Sequence, residues 1–195
     1  DTIDLLTGKV FQVTWDIGRR CNYDCSYCPA HRHDNFSPHA KLDDLKRNVD
    51  FLFEYIDTYV QYRFCKEVSI SFTGGEPTVN PYFIPFIEYL STEYQLNYHD
   101  KWLANFALTS NGAMGEKMAE KIMANFDHIT ISYHTESDAK LKNQVKDRII
   151  QFKNRAHNNK CNVSVNVMFH ADPNYFRECV ELCDFLKQAD VQYVP

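Results

Sequence analysis

The sequence predicts an α/β fold, a partial (β/α)6 TIM-like barrel with parallel strands. Three observations carry this. Short β-rich runs alternate with longer helical stretches along the chain. Each intervening stretch is long enough for a crossover, which parallel neighbours require and which is right-handed. Alternate residues along the β-rich runs also sort into one apolar and one polar set. A flatter doubly wound sheet is the less favoured arrangement of the same elements.

The strands are expected at 10–16, 68–73, 106–110, 128–133, 162–169 and 191–194. Between the first two, Leu42, Leu45, Val49, Leu52, Phe53, Ile56, Tyr59 and Val60 recur at three- and four-residue steps, which predicts an amphipathic helix over 42–62. Further helices are expected at 81–97, 114–125, 138–157 and 174–188, with Pro81 and Pro173 suited to helix entry. No internal repeat or low-complexity linker interrupts the pattern.

Side chains along a strand point alternately to opposite faces. One predicted face holds Phe11, Val13, Trp15, Val68, Ile70, Phe72, Ile129, Ile131, Tyr133, Val163, Val165 and Val167. The other holds Gln12, Thr14, Asp16, Ser69, Ser71, Thr73, Thr130, Ser132, His134, Ser164, Asn166 and His170. A closed, packed barrel fills its interior with Val, Ile and Leu. Here the helices take the apolar face, so the inner face is polar and the lumen is hydrated or holds a ligand.

Length and composition suit one domain over 1–195, 44% hydrophobic and 14% aromatic. The chain starts at Asp1 and ends on the strand-like run through Val194, so both ends look cut from something longer. A net charge of −5 disfavours nucleic acid as a partner, since phosphate binding needs a concentrated basic surface. No apolar run approaches the roughly 20 residues a membrane helix needs, and no secretory signal is evident. Seven cysteines, three of them within eight residues, suit metal binding in a reducing, cytoplasmic compartment better than a disulfide scaffold.

Those three are Cys21, Cys25 and Cys28, directly after the first strand. They therefore lie at a strand's C-terminal end, where active sites of parallel α/β barrels gather. Three thiolates on one loop suit a [4Fe–4S] cluster with one iron left without a protein ligand. A zinc site completed by His31 or His33 is the competing, less favoured reading. The spacing Cys-x3-Cys-x2-Cys, with Tyr27 before the last cysteine, resembles the signature of the radical S-adenosylmethionine (SAM) superfamily. Gly74-Gly75-Glu76-Pro77 after the second strand resembles that family's Gly-Gly-Glu-Pro turn, and Thr109-Ser110-Asn111-Gly112 follows the third strand as in many members.

The resemblance implies an enzyme whose [4Fe–4S] cluster is held by Cys21, Cys25 and Cys28. The amino and carboxylate groups of SAM would chelate the open iron. Reductive cleavage of SAM would give methionine and a 5′-deoxyadenosyl radical that takes hydrogen from an unidentified substrate, a peptide or a small metabolite. An electron donor such as flavodoxin or ferredoxin is implied as partner. By the same resemblance Tyr27 packs near the adenine. Gly74 and Gly75 let backbone approach the SAM amino group, Glu76 hydrogen-bonds or balances charge there, and Pro77 stiffens the turn. Ser132 and Asn166, with Ser110 and Asn111, are candidates for the ribose or the methionine carboxylate. Two departures stand out: the fourth strand has Ser132 and His134 where the family often has a basic residue, and the fifth lacks a Gly-x-Ile-x-Gly-like pattern. An iron–sulfur electron carrier or a zinc-stabilised binding module without SAM chemistry are the readings from other classes.

Four further cysteines, Cys65, Cys161, Cys179 and Cys183, share no compact motif and are expected to be small buried hydrophobes rather than a second cluster. His134 and His170 face the lumen by periodicity, either as substrate-touching acids or bases or as satisfied polar groups. His31, His33 and His39 fall on the loop after the cysteine motif.

Overall fold

The computed structural model describes residues 10–29, 31–63, 66–155, 161–169 and 171–194. Six strands form one sheet in sequence order: β1 (Val10–Asp16), β2 (Glu67–Thr73), β3 (Leu103–Ser110), β4 (His128–Tyr133), β5 (Asn162–Val167) and β6 (Gln192–Val194). All five pairings are parallel. The crossovers carry α1 (Leu42–Arg63), α2 (Phe83–Asn97), α3 (Glu116–Asn125), α4 (Ala139–Arg155) and α5 (Pro173–Gln188). Strands paired in sequence order through right-handed crossovers place every helix on one face. The fold is thus the expected open α/β partial barrel.

The differences in element bounds have local causes. The helix expected from residue 81 begins at Phe83, because Pro77–Val79 forms a short 3-10 turn capped by Glu76. Asn80 then accepts from the Tyr82 backbone N–H through Oδ1 (2.9 Å) and from Phe83 N–H through its carbonyl (3.0 Å). β3 starts three residues earlier than periodicity suggests, since Leu103 N–H donates to the Lys66 carbonyl at 2.7 Å. β5 stops at Val167 rather than 169. Residues 156 and 157 of the fourth expected helix, with Cys65 and His170, lie outside the described residues.

The apolar strand face and the helices enclose the core. Ile70, Phe72, Leu108, Ile129, Ile131 and Val165 are buried against Phe53, Phe86, Ile122, Ile149 and Leu182 of α1 to α5. Aromatic rings lock the first half: Phe72 meets Trp15 and Phe86 at 5.6 Å and Phe126 at 5.7 Å. The other face is the polar one. Its rows run Thr14–Ser71–Ala107–His128–Asn162 and Thr73–Thr109–Thr130–Ser164–Gln192, with Ser132–Asn166–Val194 nearer the C-terminal rim. No helix of the described residues is long and apolar enough to cross a membrane.

Candidate active site

Two loops stacked at the C-terminal rim build the site. Past β1 the chain stays beside β2, with Ile17 N–H donating to the Thr73 carbonyl at 2.9 Å. The turn after β2 then passes under the segment that leads into the cysteines. Gly75 N–H donates to the Gly18 carbonyl (2.7 Å) and Glu76 N–H to the Arg20 carbonyl (2.9 Å). This contact explains the glycines. A Cβ on Gly74 would stand 2.5 Å from the Gly18 carbonyl oxygen, and one on Gly75 2.3 Å and 2.5 Å from those of Arg19 and Arg20. Gly74 also holds φ at +144°, which side chains rarely adopt. The close approach recorded here is to the cysteine loop's own backbone.

The loop is closed from its far side. Cys21 N–H donates to the Asp34 carbonyl (2.8 Å) and Asp34 N–H to the Arg19 carbonyl (3.0 Å). The Asp34 carboxylate accepts from Ser37 and lies 3.3 Å from the Arg19 guanidinium. The Ser37 hydroxyl and neighbouring N–H groups hold that carboxyl below its usual range.

Cys21, Cys25 and Cys28 line one cavity of about 170 Å³ together with Tyr27, Gly74, Gly75, Glu76, Ser110, Asn111, Ser132 and His134. Nine of the predicted site residues in addition to His134 therefore meet at a single place, and Ser132 makes a tenth. Two do not join them. Pro77 is buried in the 3-10 turn and faces a different cavity with Arg20 and His39, while Asn166, one strand beyond Ser132, does not line the cysteine cavity.

Glu76 is 2% exposed and its carboxylate is committed within the protein. Oε1 accepts from the Thr78 N–H (3.0 Å), the Thr78 hydroxyl (2.6 Å) and the Ser110 hydroxyl (2.9 Å), and Oε2 accepts from Asn111 N–H (2.6 Å). Burial pushes its pKa up, against the pull of these donors. Glu76 thus fastens the end of β3 to the turn after β2. Asn111 extends the link, its Nδ2 donating to Asn22 Oδ1 at 2.7 Å inside the cysteine loop.

His134 organises the opposite wall. Its ring stacks on Tyr27 at 5.8 Å and 9°, and Tyr23 meets it edge-on at 5.2 Å. Nδ1 is hydrogen-bonded to the Tyr27 hydroxyl and lies 3.3 Å from Cys25 Sγ. Burial pushes its pKa down to about 4, so the ring is neutral near pH 7. Glu136, just beyond, accepts from the Ser26 N–H (2.8 Å) and hydroxyl. Asn22, Asp34 and Glu136 were not legible in the sequence, because each acts through contacts far along the chain and belongs to no motif.

The donor set is soft and incomplete, which fits an iron–sulfur group. Burial raises the Cys21 thiol and takes Cys25 up to about 11, so a bound cation is what would hold these sulfurs as thiolates. Among the described residues no three His, Cys, Asp or Glu side chains converge on one ion. A tetrahedral zinc at about 2.3 Å from each sulfur needs its thiols roughly 4 Å apart; a cluster takes each thiol on a separate iron. His33, a candidate zinc ligand, also lines this cavity, with its Nε2 3.4 Å from Asp24 Oδ1.

Comparison with known proteins agrees with this geometry. The sequence model of the Radical SAM superfamily matches residues 15–188. The chain belongs to the radical SAM superfamily. Members of this superfamily are enzymes that use a [4Fe–4S] cluster and SAM. Among curated relatives, this radical SAM chain is similar to the GTP 3′,8-cyclase of Nautilia profundicola, at 25% identity over 97% of this chain and 56% of that protein. It is also similar to the GTP 3′,8-cyclase of Aliarcobacter butzleri, at 29% identity over 68% of this chain and 37% of that one. The chain thus spans about half or less of the length of these relatives. In fold it resembles solved structures of anSMEcpe with bound AdoMet (TM-score 0.64, 19% identity, 95% of this chain and 51% of that one) and with AdoMet and the Cp18Cys peptide (TM-score 0.64, 18%, 95% and 50%).

Proposed function

We propose that Cys21, Cys25 and Cys28 hold the cluster of a radical SAM enzyme whose substrate enters the polar lumen. The observation that carries this is the convergence of the three thiols with the Gly74–Glu76 turn and Ser110–Asn111 on one cavity at the C-terminal rim. When bound, the cluster and SAM supply a 5′-deoxyadenosyl radical, which takes a hydrogen atom from substrate. The protein's part is binding, orientation and exclusion of water.

In this reading Tyr27 lies beside the adenine, and its stack on His134 fixes the ring in place. Gly74 and Gly75, packed against the cysteine loop and lining the cavity, bring the backbone of this turn beside the SAM amino group. Glu76 serves as a positioning residue, since its oxygens are taken by Thr78, Ser110 and Asn111 and it acts on SAM through them. The Ser132 hydroxyl, on the cavity wall, is the candidate for the ribose or the methionine carboxylate, and Asn166 the candidate one strand further on. Flavodoxin or ferredoxin is the kind of partner such a cluster needs as electron donor. A peptide or a small metabolite is the proposed substrate, in a cytoplasmic enzyme.

Cys25→Ala tests the ligand assignment, with Cys183→Ala as the control on α5. The first should lose the brown colour of the reconstituted protein and all 5′-deoxyadenosine formation, while the second keeps both. Wild-type rates of 5′-deoxyadenosine formation in Cys25→Ala would overturn the assignment.

A further inference from the structure

The inner face of the sheet has a chemical character that bears on the substrate. Its residues are Val10, Gln12, Thr14 and Asp16 on β1; Glu67, Ser69, Ser71 and Thr73 on β2; Leu103, Asn105, Ala107 and Thr109 on β3. They continue as His128, Thr130 and Ser132 on β4, Asn162, Ser164 and Asn166 on β5, and Gln192 and Val194 on β6. Hydroxyl and amide groups dominate, and none of these residues is lysine or arginine. The two charged groups are acidic and sit at opposite ends of the face. At the rim, Arg19 is drawn to Asp34 and Arg20 donates to the Ser37 carbonyl. A polyphosphate is held by arginine, lysine or a metal ion, and these strands offer no such side chain.

Below the cysteine cavity the face carries an assembled polar group. Thr109 and Ser132 line the cavity, and Thr130 lies beside Thr109, about 7 Å further down β4 from Ser132. There Ser164 Oγ is 2.8 Å from His128 Nε2 and 3.2 Å from Thr130 Oγ1. His128 is half-buried, and burial lowers its pKa, so it stays a neutral ring with one donor and one acceptor.

We infer that the substrate moiety entering this lumen is uncharged and hydrogen-bonding, and that His128, Thr130 and Ser164 determine specificity for it. The inference rests on the proposed use of the lumen for substrate and names the substrate's class. It separates this chain from the cyclases it resembles, whose name specifies a nucleoside triphosphate.

The test follows the His128 ring by nitrogen-15 NMR in the reconstituted protein, with the exposed His99 as internal reference. The probes, each at millimolar concentration, are guanosine, the capped dipeptide N-acetyl-seryl-asparaginamide, and GTP. At least one neutral probe should shift His128 and leave His99 in place. Guanosine alone would mark a nucleoside source, the dipeptide alone a peptide source. GTP should bind no tighter than guanosine, and Ser164→Ala should weaken the responding probe about tenfold, the worth of one hydrogen bond. If that variant does not fold, Thr130→Val takes its place. GTP binding tenfold tighter than guanosine, no shift with either neutral probe, or unchanged binding in the folded variant would each overturn the inference. Formation of 5′-deoxyadenosine is assayed separately, so failure of the radical chemistry is distinguishable from failure of this assignment.

Discussion

Replacing Gly75 with alanine probes the stacking of the two loops that builds the site. The added Cβ would meet the Arg19 and Arg20 carbonyl oxygens at 2.3 Å and 2.5 Å and the Arg19 carbonyl carbon at 2.7 Å. All three are backbone atoms, so no side chain can swing aside. The loops must separate, and the bonds from Gly75 N–H to Gly18 and from Glu76 N–H to Arg20 stretch or break. Losing two such bonds, with partly buried donors left unpaired, costs about 3–5 kcal/mol. For a chain of this size that lowers the thermal midpoint by on the order of 10 °C. Gly115→Ala is the matched control, because a Cβ there meets nothing within 4 Å, and at this helix N-cap the change costs only about 0.5–1 kcal/mol. The assay is urea and thermal unfolding of the metal-free chain by far-UV circular dichroism. Equal midpoints for the two variants would refute the reasoning.

Two further predictions concern single groups. Glu76→Gln places an amide N–H against donors of Thr78, Ser110 or Asn111, and should destabilise the chain by about 2–4 kcal/mol in urea unfolding; a change under 1 kcal/mol would show that the carboxylate is not the tie described. His128 has its folded pKa lowered from 6.5 by burial, so the unfolded chain binds more protons between the two values. Its contribution is then fully present above about pH 6.5 and is lost as pH falls towards the folded pKa. Wild type should lose more thermal stability than His128→Asn between pH 7.5 and pH 5, and an equal loss in both would contradict the assigned shift.

The fold was legible because the period-two and three-to-four-residue patterns agree with the crossover lengths everywhere, from Phe11–Trp15 to Val163–Val167 and along α1. The convergence of Cys21, Gly75, Ser110 and Ser132 followed too, since parallel topology brings the C-terminal ends of β1 to β4 to one rim. What escaped were contacts that periodicity does not encode. Glu76 was expected at the SAM amino group, and it does line that cavity, but periodicity does not encode that its carboxylate also caps the 3-10 turn through Thr78 and ties in Ser110 and Asn111. The glycines read as room for a ligand, and they are also room for another loop's carbonyls. The pairing of His134 with Cys25 and Tyr27, and of Glu136 with Ser26, spans more than a hundred residues. Only the folded loop after β4 reveals it.

The most direct test of the central claim is anaerobic reconstitution with iron and sulfide, reduction by dithionite, addition of SAM and chromatography for 5′-deoxyadenosine. Formation of 5′-deoxyadenosine and methionine, with a cluster EPR signal that changes when SAM is added, is the predicted result. A well-formed cluster whose EPR signal ignores SAM, with no 5′-deoxyadenosine released, would contradict it.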